Sequence, residues 1–241
     1  DIESQKVIDL VGGVADIQSN TIRTVGRAQE RFDEDPLRKL RALRFAGRTG
    51  SKLEKNTAEA IISDNSLEDI SSERIRDEFK KSVESAKSAK FYLNMVSEFS
   101  LWGVMFPGLE VNKTFLDTNN WLLQITQLFG DNQEELLKKE LNKMSFSNQE
   151  IDTIIFFKRF LELKPETAFQ LSKEWKITKL DKKLLLEFSK INKLDLKLVK
   201  AFLKYKPSTN GGQVMKEFGL RGSEIGDKIK EIETEKFKKL V

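Results

Sequence analysis

The sequence predicts a mainly α-helical protein with two short strands at its N-terminal end. From about residue 28 onward, apolar residues recur at helical spacing in one segment after another. The links between these segments are short and carry Gly, Pro or Asn/Ser breaks, which makes neighbouring helices antiparallel members of an array rather than a coiled coil. Residues 1–26 differ, with β-branched residues bounded by Asn and Gly turns.

In chain order, Lys6–Val11 before Gly12-Gly13 reads as a first strand and Asn20–Gly26 as a second. Two such strands do not make an independent sheet, so others are expected upstream. Helices follow at roughly 34–49, 56–63, 71–85, 87–101, 114–129, 132–143, 147–161, 166–175, 179–190, 195–205, 210–218 and 222–239. Thr49-Gly50 stops the first of these, and Asn65-Ser66 ends the next. Ser71-Ser72-Glu73 caps a start, and Phe106-Pro107-Gly108 forces a turn. Leu163-Lys164-Pro165 and Lys206-Pro207 separate later helices.

Composition excludes several chemistries. The chain has 241 residues, no cysteine and no histidine, so it has no thiolate, no imidazole ligand and no histidine general base. A metal here is expected to be a hard ion on carboxylates. With 33% charged residues and a net charge of +4, a nucleic-acid or nucleotide partner fits. No apolar run of about 18 residues and no signal-peptide pattern is present, so a soluble, cytoplasmic protein without membrane contact is expected. The chain begins at Asp1 and reads as the downstream part of something longer.

Seven of the eleven arginines fall between Arg23 and Arg48. Basic charge elsewhere is almost all lysine, and a planar, permanently charged fork suits phosphates and base edges. On a helical projection Leu37, Leu40, Leu43 and Gly47 share one side, and Asp35, Arg38, Arg41, Phe45 and Arg48 the other. Asp33 is the expected N-cap, with Pro36 tolerated in the first turn. Asp35 and Arg38, three residues apart, present an acceptor-only group beside a donor-only fork. That pair matches the amino group and ring nitrogen of cytosine and adenine. Uracil and guanine present a carbonyl to the carboxylate instead, for a discrimination of about 1–3 kcal/mol. Arg41 and Arg44 are then available for phosphate or RNA backbone. The competing reading is a surface ion pair worth about 0–1 kcal/mol.

The run Arg31-Phe-Asp-Glu-Asp-Pro-Leu-Arg38-Lys-Leu-Arg41-Ala-Leu-Arg44-Phe45 resembles the base-recognition motif of the class II tRNA nucleotidyltransferase (CCA-adding) and bacterial poly(A) polymerase family. Ile8–Gly13 with Asp16-Ile17 and Ile22–Gly26 is similar to the end of that family's catalytic head. Ser72–Phe79 is similar to the helix that braces its neck, and Phe99–Leu109 to a body motif. Beyond about residue 110 the likeness is weak, apart from Gly211–Leu220, which resembles the tail.

The resemblance implies a helical neck–body–tail array with a short two-strand remnant of the head. Its parts would be a head remnant at 1–27, the neck at 28–86, the body at 87–145 and a tRNA-binding tail at 146–241. Asp35 and Arg38 would select CTP and then ATP, Glu34 would orient Arg38, and Arg41 would approach the nucleotide phosphates or primer end. The implied reaction is magnesium-assisted attack of a tRNA 3′-hydroxyl on the α-phosphate. The family's metal-binding Gly-Ser…Asp-x-Asp element and its Arg-Arg-Asp element are not found. Asp33-Glu34-Asp35 lacks the preceding turn, and Gly222-Ser223 before Glu224 and Asp227 lacks a strand. This chain alone is therefore expected to supply no catalytic carboxylates and to be inactive, its magnesium belonging to a separate or missing head. Poly(A) polymerase, and a non-catalytic helical RNA-binding module, are the alternatives.

Residues 173–206 hold eleven lysines and four acidic residues. Lys193, Lys197, Lys200 and Lys204 share one projected face opposite Leu198, Phe202 and Tyr205. They suit the phosphate backbone of tRNA, against the competing reading of a solvated lysine face. Trp102, Trp121 and Trp175 are expected in the core rather than as base-stacking platforms. The turn Phe218–Gly222 is open to two readings, a phosphate-binding turn or a plain connection between helices.

Overall fold

A computed structural model describes residues 7–241. Fifteen helices and one small sheet occur among them, in this order. The first stretch runs α1 (Gly13–Gln18), β1 (Thr21–Ile22), α2 (Ala28–Glu34), α3 (Leu37–Thr49), β2 (Lys52–Leu53), α4 (Lys55–Ser63) and α5 (Ser72–Ser85). Next come α6 (Ala89–Glu98), α7 (Trp102–Met105), α8 (Trp121–Phe129), α9 (Glu134–Lys143) and α10 (Asn148–Phe160). The last five are α11 (Pro165–Thr178), α12 (Lys182–Ile191), α13 (Leu196–Lys204), α14 (Gly211–Phe218) and α15 (Ser223–Lys238). The chain divides into two compact units, Asp1–Asn148 and Gln149–Val241.

In the first unit α3 is the central element and packs on α5 and α6. Leu40, Leu43 and Ala46 are fully buried beside Ile75, Phe79 and Val83 of α5. Gly47 lets α6 approach: a Cβ there would stand 3.2 Å from Cβ of Tyr92. Phe79 meets Phe106 edge-on at 5.3 Å, and Phe106 meets Phe129 at 4.8 Å, which continues the core toward α8. Trp102 and Trp121 are buried as expected, Trp102 donating from its indole to Ser97 Oγ. Gly50, at φ 72°, ends α3 and donates to the Ala46 carbonyl at 2.8 Å, which is the expected stop. Ser71 caps α5 by accepting from the Arg74 amide.

The sheet differs from expectation. β1 lies within the expected second strand, but its partner is β2, paired parallel with Thr21 opposite Lys52 and Ile22 opposite Leu53. No strand forms over 7–11, and Lys6, the first residue of that expected strand, lies outside the described residues. The Asp9 carboxylate accepts from the backbone amides of Val11, Gly13 and Val14, so it commits this stretch to a turn that leads into α1. Val7, Ile8, Leu10, Val11 and Ile17 are left exposed.

Three helix boundaries also shift. The helix expected over 34–49 starts only at Leu37, because Pro36 disfavours the α conformation for the residue before it, and Glu34 ends the separate helix α2. Asp35 is extended at φ −154°, ψ 97°. Residues 114–120 are irregular: Gln124 donates to the Leu116 and Thr118 carbonyls, Asn119 bridges Ala86 and Ala89, and Asn120 caps α8. The helix expected over 87–101 is α6, which stops at Glu98 before Ser100 turns left-handed at φ 54°, and α7 begins beyond it.

The second unit has its own aromatic core. Phe157 packs on Phe188 at 4.5 Å, Phe160 on Phe202 at 5.1 Å, and the half-buried Trp175 on Phe202 at 5.5 Å. α15 is anchored by Glu233, whose carboxylate is fully buried. It accepts from Tyr205 Oη at 2.6 Å, the Thr209 amide at 2.8 Å, the Thr209 hydroxyl and Lys236 Nζ at 3.0 Å. Burial opposes its ionisation, but the donors from Thr209, Tyr205 and Lys236 prevail and hold its pKa at about 2.

The folded pKa lies below the unfolded value of about 4.3. This contribution is therefore complete above about pH 4.3 and is lost as pH falls toward 2, amounting to about 2–3 kcal/mol. Thermal melts at pH 6, 4 and 2.5 are expected to show a smaller destabilisation on acidification in Glu233→Gln than in wild type. An equal pH dependence in wild type and variant would show that Glu233 is not its source.

Candidate nucleotide and RNA site

α2 and α3 meet at the Asp35-Pro36 step, and the arginines gather around it. Glu34 Oε2 accepts from Arg38 Nη1 at 2.6 Å and from Arg31 Nη1 at 2.8 Å. Arg38 Nη1 also donates to the Arg31 carbonyl at 3.0 Å. Held by a carboxylate and a carbonyl, the Arg38 guanidinium is fixed in plane and direction. The Arg38 hydrogen bond, with the Arg31 charge, lowers the Glu34 pKa, so that carboxylate stays ionised.

Asp35 precedes the helix instead of riding on it, which corrects the picture of two neighbours on one helical face. Its backbone carbonyl accepts the Arg38 amide at 3.0 Å, so the two residues remain adjacent. Its side chain is 24% exposed and that of Arg38 is 32% exposed, so neither is packed interior. Asp35 Oδ1 accepts from the Leu37 amide at 3.3 Å and from Arg74 Nη2 of α5 at 3.5 Å. The two side chains make no direct hydrogen bond, and each is steered by its own partner.

Two cavities flank α3. One, of about 450 Å³, is lined by Ile22, Thr24, Val25, Ala42 and Phe45 together with Arg23, Arg31, Arg38 and Arg41. Apolar walls plus a ring of guanidinium groups suit a base joined to phosphates. The other, of about 630 Å³, lies between α3 and α5 and is lined by Leu37, Arg41, Arg44, Arg48, Glu78, Lys81, Glu84 and Ser85. Arg41 borders both.

Arg44, expected to be free for phosphate, has its Nε on Glu78 Oε1, with both side chains largely buried. Glu78 is thus a site-shaping residue that sequence reasoning missed, as are Arg74, Arg23 and Arg31. Arg74 and Glu78 both lie in the Ser72–Phe79 stretch already singled out by resemblance, which was the available signal. Lys39 was missed too. It is 1% exposed on the side of α3 given to the core, with Nζ on Asp64 Oδ2 at 2.6 Å and on the Ser66 carbonyl at 2.9 Å.

The carboxylates of Asp33, Glu34 and Asp35 point to separate partners: Gln29, the Arg31/Arg38 pair, and Arg74 with the Leu37 amide. These residues do not fit a magnesium site, and no metal chemistry is assigned to them. In the second unit Lys197, Lys200 and Lys204 are exposed on α13. Lys193 is exposed as well but precedes the helix, in a turn at φ 55°. No helix among the described residues is long and apolar enough to cross a membrane.

Residues 50–113 match the family model described as the probable RNA and SrmB-binding site of polymerase A. The chain is 30% identical over 253 residues to a CCA-adding enzyme of Streptococcus thermophilus, covering 96% of this chain and 62% of that protein. A CCA-adding enzyme of Bacillus velezensis is 44% identical over 92 residues, covering 38% of this chain and 23% of that protein. Among solved structures, the Bacillus stearothermophilus CCA-adding enzyme in complex with CTP superposes with a TM-score of 0.64 at 23% identity. That match covers 94% of this chain and 63% of the other. A CCA-adding enzyme with ATP gives a TM-score of 0.62 at 19% identity, covering 95% and 61%. These structural likenesses speak to the fold, and the chain spans about 62% of the length of the Streptococcus relative. With the arginine-rich α2–α3 step, the α5 brace and relatives that cover nearly the whole chain, this protein is strongly homologous to the CCA-adding enzymes of the tRNA nucleotidyltransferase family.

Proposed function

We propose that this chain forms the neck, body and tail of a CCA-adding tRNA nucleotidyltransferase, with parts at 28–86, 87–145 and 146–241 and the end of a catalytic head at 1–27. The observation that carries this reading is the Arg38 guanidinium, fixed by Glu34 and the Arg31 carbonyl at the rim of a cavity with apolar walls and three further arginines. A cytosine or adenine entering there presents its ring nitrogen to Arg38 and its amino group to Asp35. Asp35 Oδ1 carries the contacts with the Leu37 amide and Arg74, so its Oδ2 is the oxygen that would accept that amino group. Arg41 would meet the nucleotide's phosphates, with Arg31 and Arg23, paired to Glu34 and Asp16, beside it.

The tRNA 3′-oxygen would form its bond to the α-phosphorus as pyrophosphate leaves, the hydroxyl proton passing to a base of the head domain. A magnesium ion held by that head would supply charge stabilisation for this transfer. Head residues would also cover the apolar side chains exposed between Val7 and Ile17. The lysines of α13 and Lys193 would follow the tRNA backbone. On this reading the protein works in the cytoplasm.

A family model named for polymerase A keeps poly(A) polymerase as the second reading. The two separate on labelled tRNAs ending before, within and after CCA, offered to the chain joined to a nucleotidyltransferase head. The CCA reading expects addition to stop once CCA is complete. Continued A addition irrespective of the tRNA body would transfer the assignment to poly(A) polymerase. Binding of RNA with neither addition nor nucleotide preference would leave only an RNA-binding module.

A further inference from the structure

The larger cavity, on the α5 side of α3, lies apart from the cavity in which the base is proposed to bind. Its lining contrasts with that of the base cavity. Apart from Leu37 it has no apolar wall and no aromatic ring, so nothing in it stacks a base. It holds four cations, Arg41, Arg44, Arg48 and Lys81, against Glu78 and Glu84, and Arg44 already neutralises Glu78. Arg41, Arg48 and Lys81 make no ion pair among the described residues. Arg48 and Lys81 are exposed, Arg48 on the last turn of α3 and Lys81 facing it from α5. Along α3, Arg41 and Arg48 are seven residues apart, about 10 Å along the axis at about 1.5 Å per residue. That row is longer than a single phosphate needs and suits successive phosphates of one strand.

We infer that this α3–α5 cleft binds the sugar–phosphate backbone of the RNA substrate, with Arg48 and Lys81 as contacts that never touch the nucleotide. Arg41, bordering both cavities, then lies between the RNA strand and the incoming nucleotide. The inference rests on the proposed function in one respect, that RNA is the substrate. A free nucleotide's triphosphate tail is the other source of the same chemistry, and it is less suited because the cleft offers its base no surface.

The test uses the full chain and a fluorescein-labelled tRNA transcript lacking its terminal CCA, titrated by anisotropy between 50 and 300 mM KCl. Each of Arg48→Ala and Lys81→Ala is expected to weaken binding by about 3- to 10-fold. The double variant should reduce the slope of log K against log salt by about 1.4–1.8, since each lost phosphate contact removes about 0.7–0.9. Lys139→Ala, an exposed lysine of α9, should leave affinity and slope unchanged. CTP affinity, measured by calorimetry, should be the same in wild type and double variant.

If wild type binds the transcript and the double variant matches it in affinity and slope, the cleft assignment is wrong while the RNA reading stands. If the variants lower CTP affinity instead, the cleft takes the nucleotide and the assignment is again wrong. If wild type shows no salt-dependent tRNA binding, both the cleft and the RNA reading fall. Because both side chains are exposed and unpaired, melting temperatures should not move, which separates a binding defect from misfolding.

Discussion

Asp35→Ala, in the chain joined to a nucleotidyltransferase head, is expected to admit UTP and GTP at the expense of the discrimination shown by wild type. On the proposed reading the carboxylate would reject these bases because their carbonyl faces it, acceptor against acceptor. Removing it deletes the repulsion and the hydrogen bond to the amino group together, at about 1–3 kcal/mol, or about 5- to 150-fold in relative kcat/KM. Arg38→Ala should reduce use of all four nucleotides and flatten the preference as well, because the guanidinium both binds and orients. Arg38→Lys should behave like the alanine variant rather than wild type: an ammonium does not reproduce a planar fork held by the Glu34 carboxylate and the Arg31 carbonyl. The check is single-nucleotide incorporation with each of the four triphosphates. Unchanged ratios in both variants would place base selection elsewhere in the protein.

The second large effect concerns stability, and it is asymmetric. Lys39 carries a charge into the interior of α3's packed face, where Asp64 and the Ser66 carbonyl satisfy it. Asp64, by contrast, is 44% exposed. Asp64→Ala leaves a buried ammonium with one neutral acceptor, at an expected cost of about 3–5 kcal/mol. Lys39→Met removes the buried charge and leaves a carboxylate that water reaches, so its cost should be about 1 kcal/mol or less. The double variant should resemble Lys39→Met. Urea titrations followed by tryptophan emission test this ordering, Trp102 and Trp121 lying in the same unit as Lys39. A cost for Asp64→Ala no larger than for Lys39→Met would mean that the ion pair is not what holds the loop after α4 against α3.

Much of the fold was legible because its punctuation is local. Gly50 ends α3 through a left-handed residue, Ser71 caps α5, and Pro165 opens α11, each a short-range effect that a sequence displays. What escaped reading depends on partners far along the chain. β2 exists because Lys52 and Leu53 meet β1 some thirty residues earlier, and two residues carry no strand signature of their own. The irregular 114–120 segment is held by Gln124 and Asn119, whose bonding groups reach across to backbone that the sequence cannot place. Lys39 looked like one more basic residue in a basic run, since only Asp64 and Ser66 make its burial affordable.

The candidate site was legible in kind and misread in detail. The Arg31–Phe45 run drew attention to the right stretch of chain, and Glu34 does bond Arg38. Pro36, however, was treated as a tolerated first-turn residue. Its steric effect on Asp35 ends α2 and sends the Asp35 and Arg38 side chains to different partners. Arg44 looked free because Glu78, which pairs with it, lies 34 positions away.

At the centre of this account is a carboxylate that senses the exocyclic amino group of the base. The most direct measurement compares CTP with the triphosphate of pyrimidin-2-one riboside, which keeps the ring nitrogen and carbonyl but lacks that amino group. Wild type should use the analogue about 10-fold less efficiently than CTP, and Asp35→Ala should use the two equally. If wild type accepts the analogue as readily as CTP, or the variant keeps the full preference, Asp35 does not read the base.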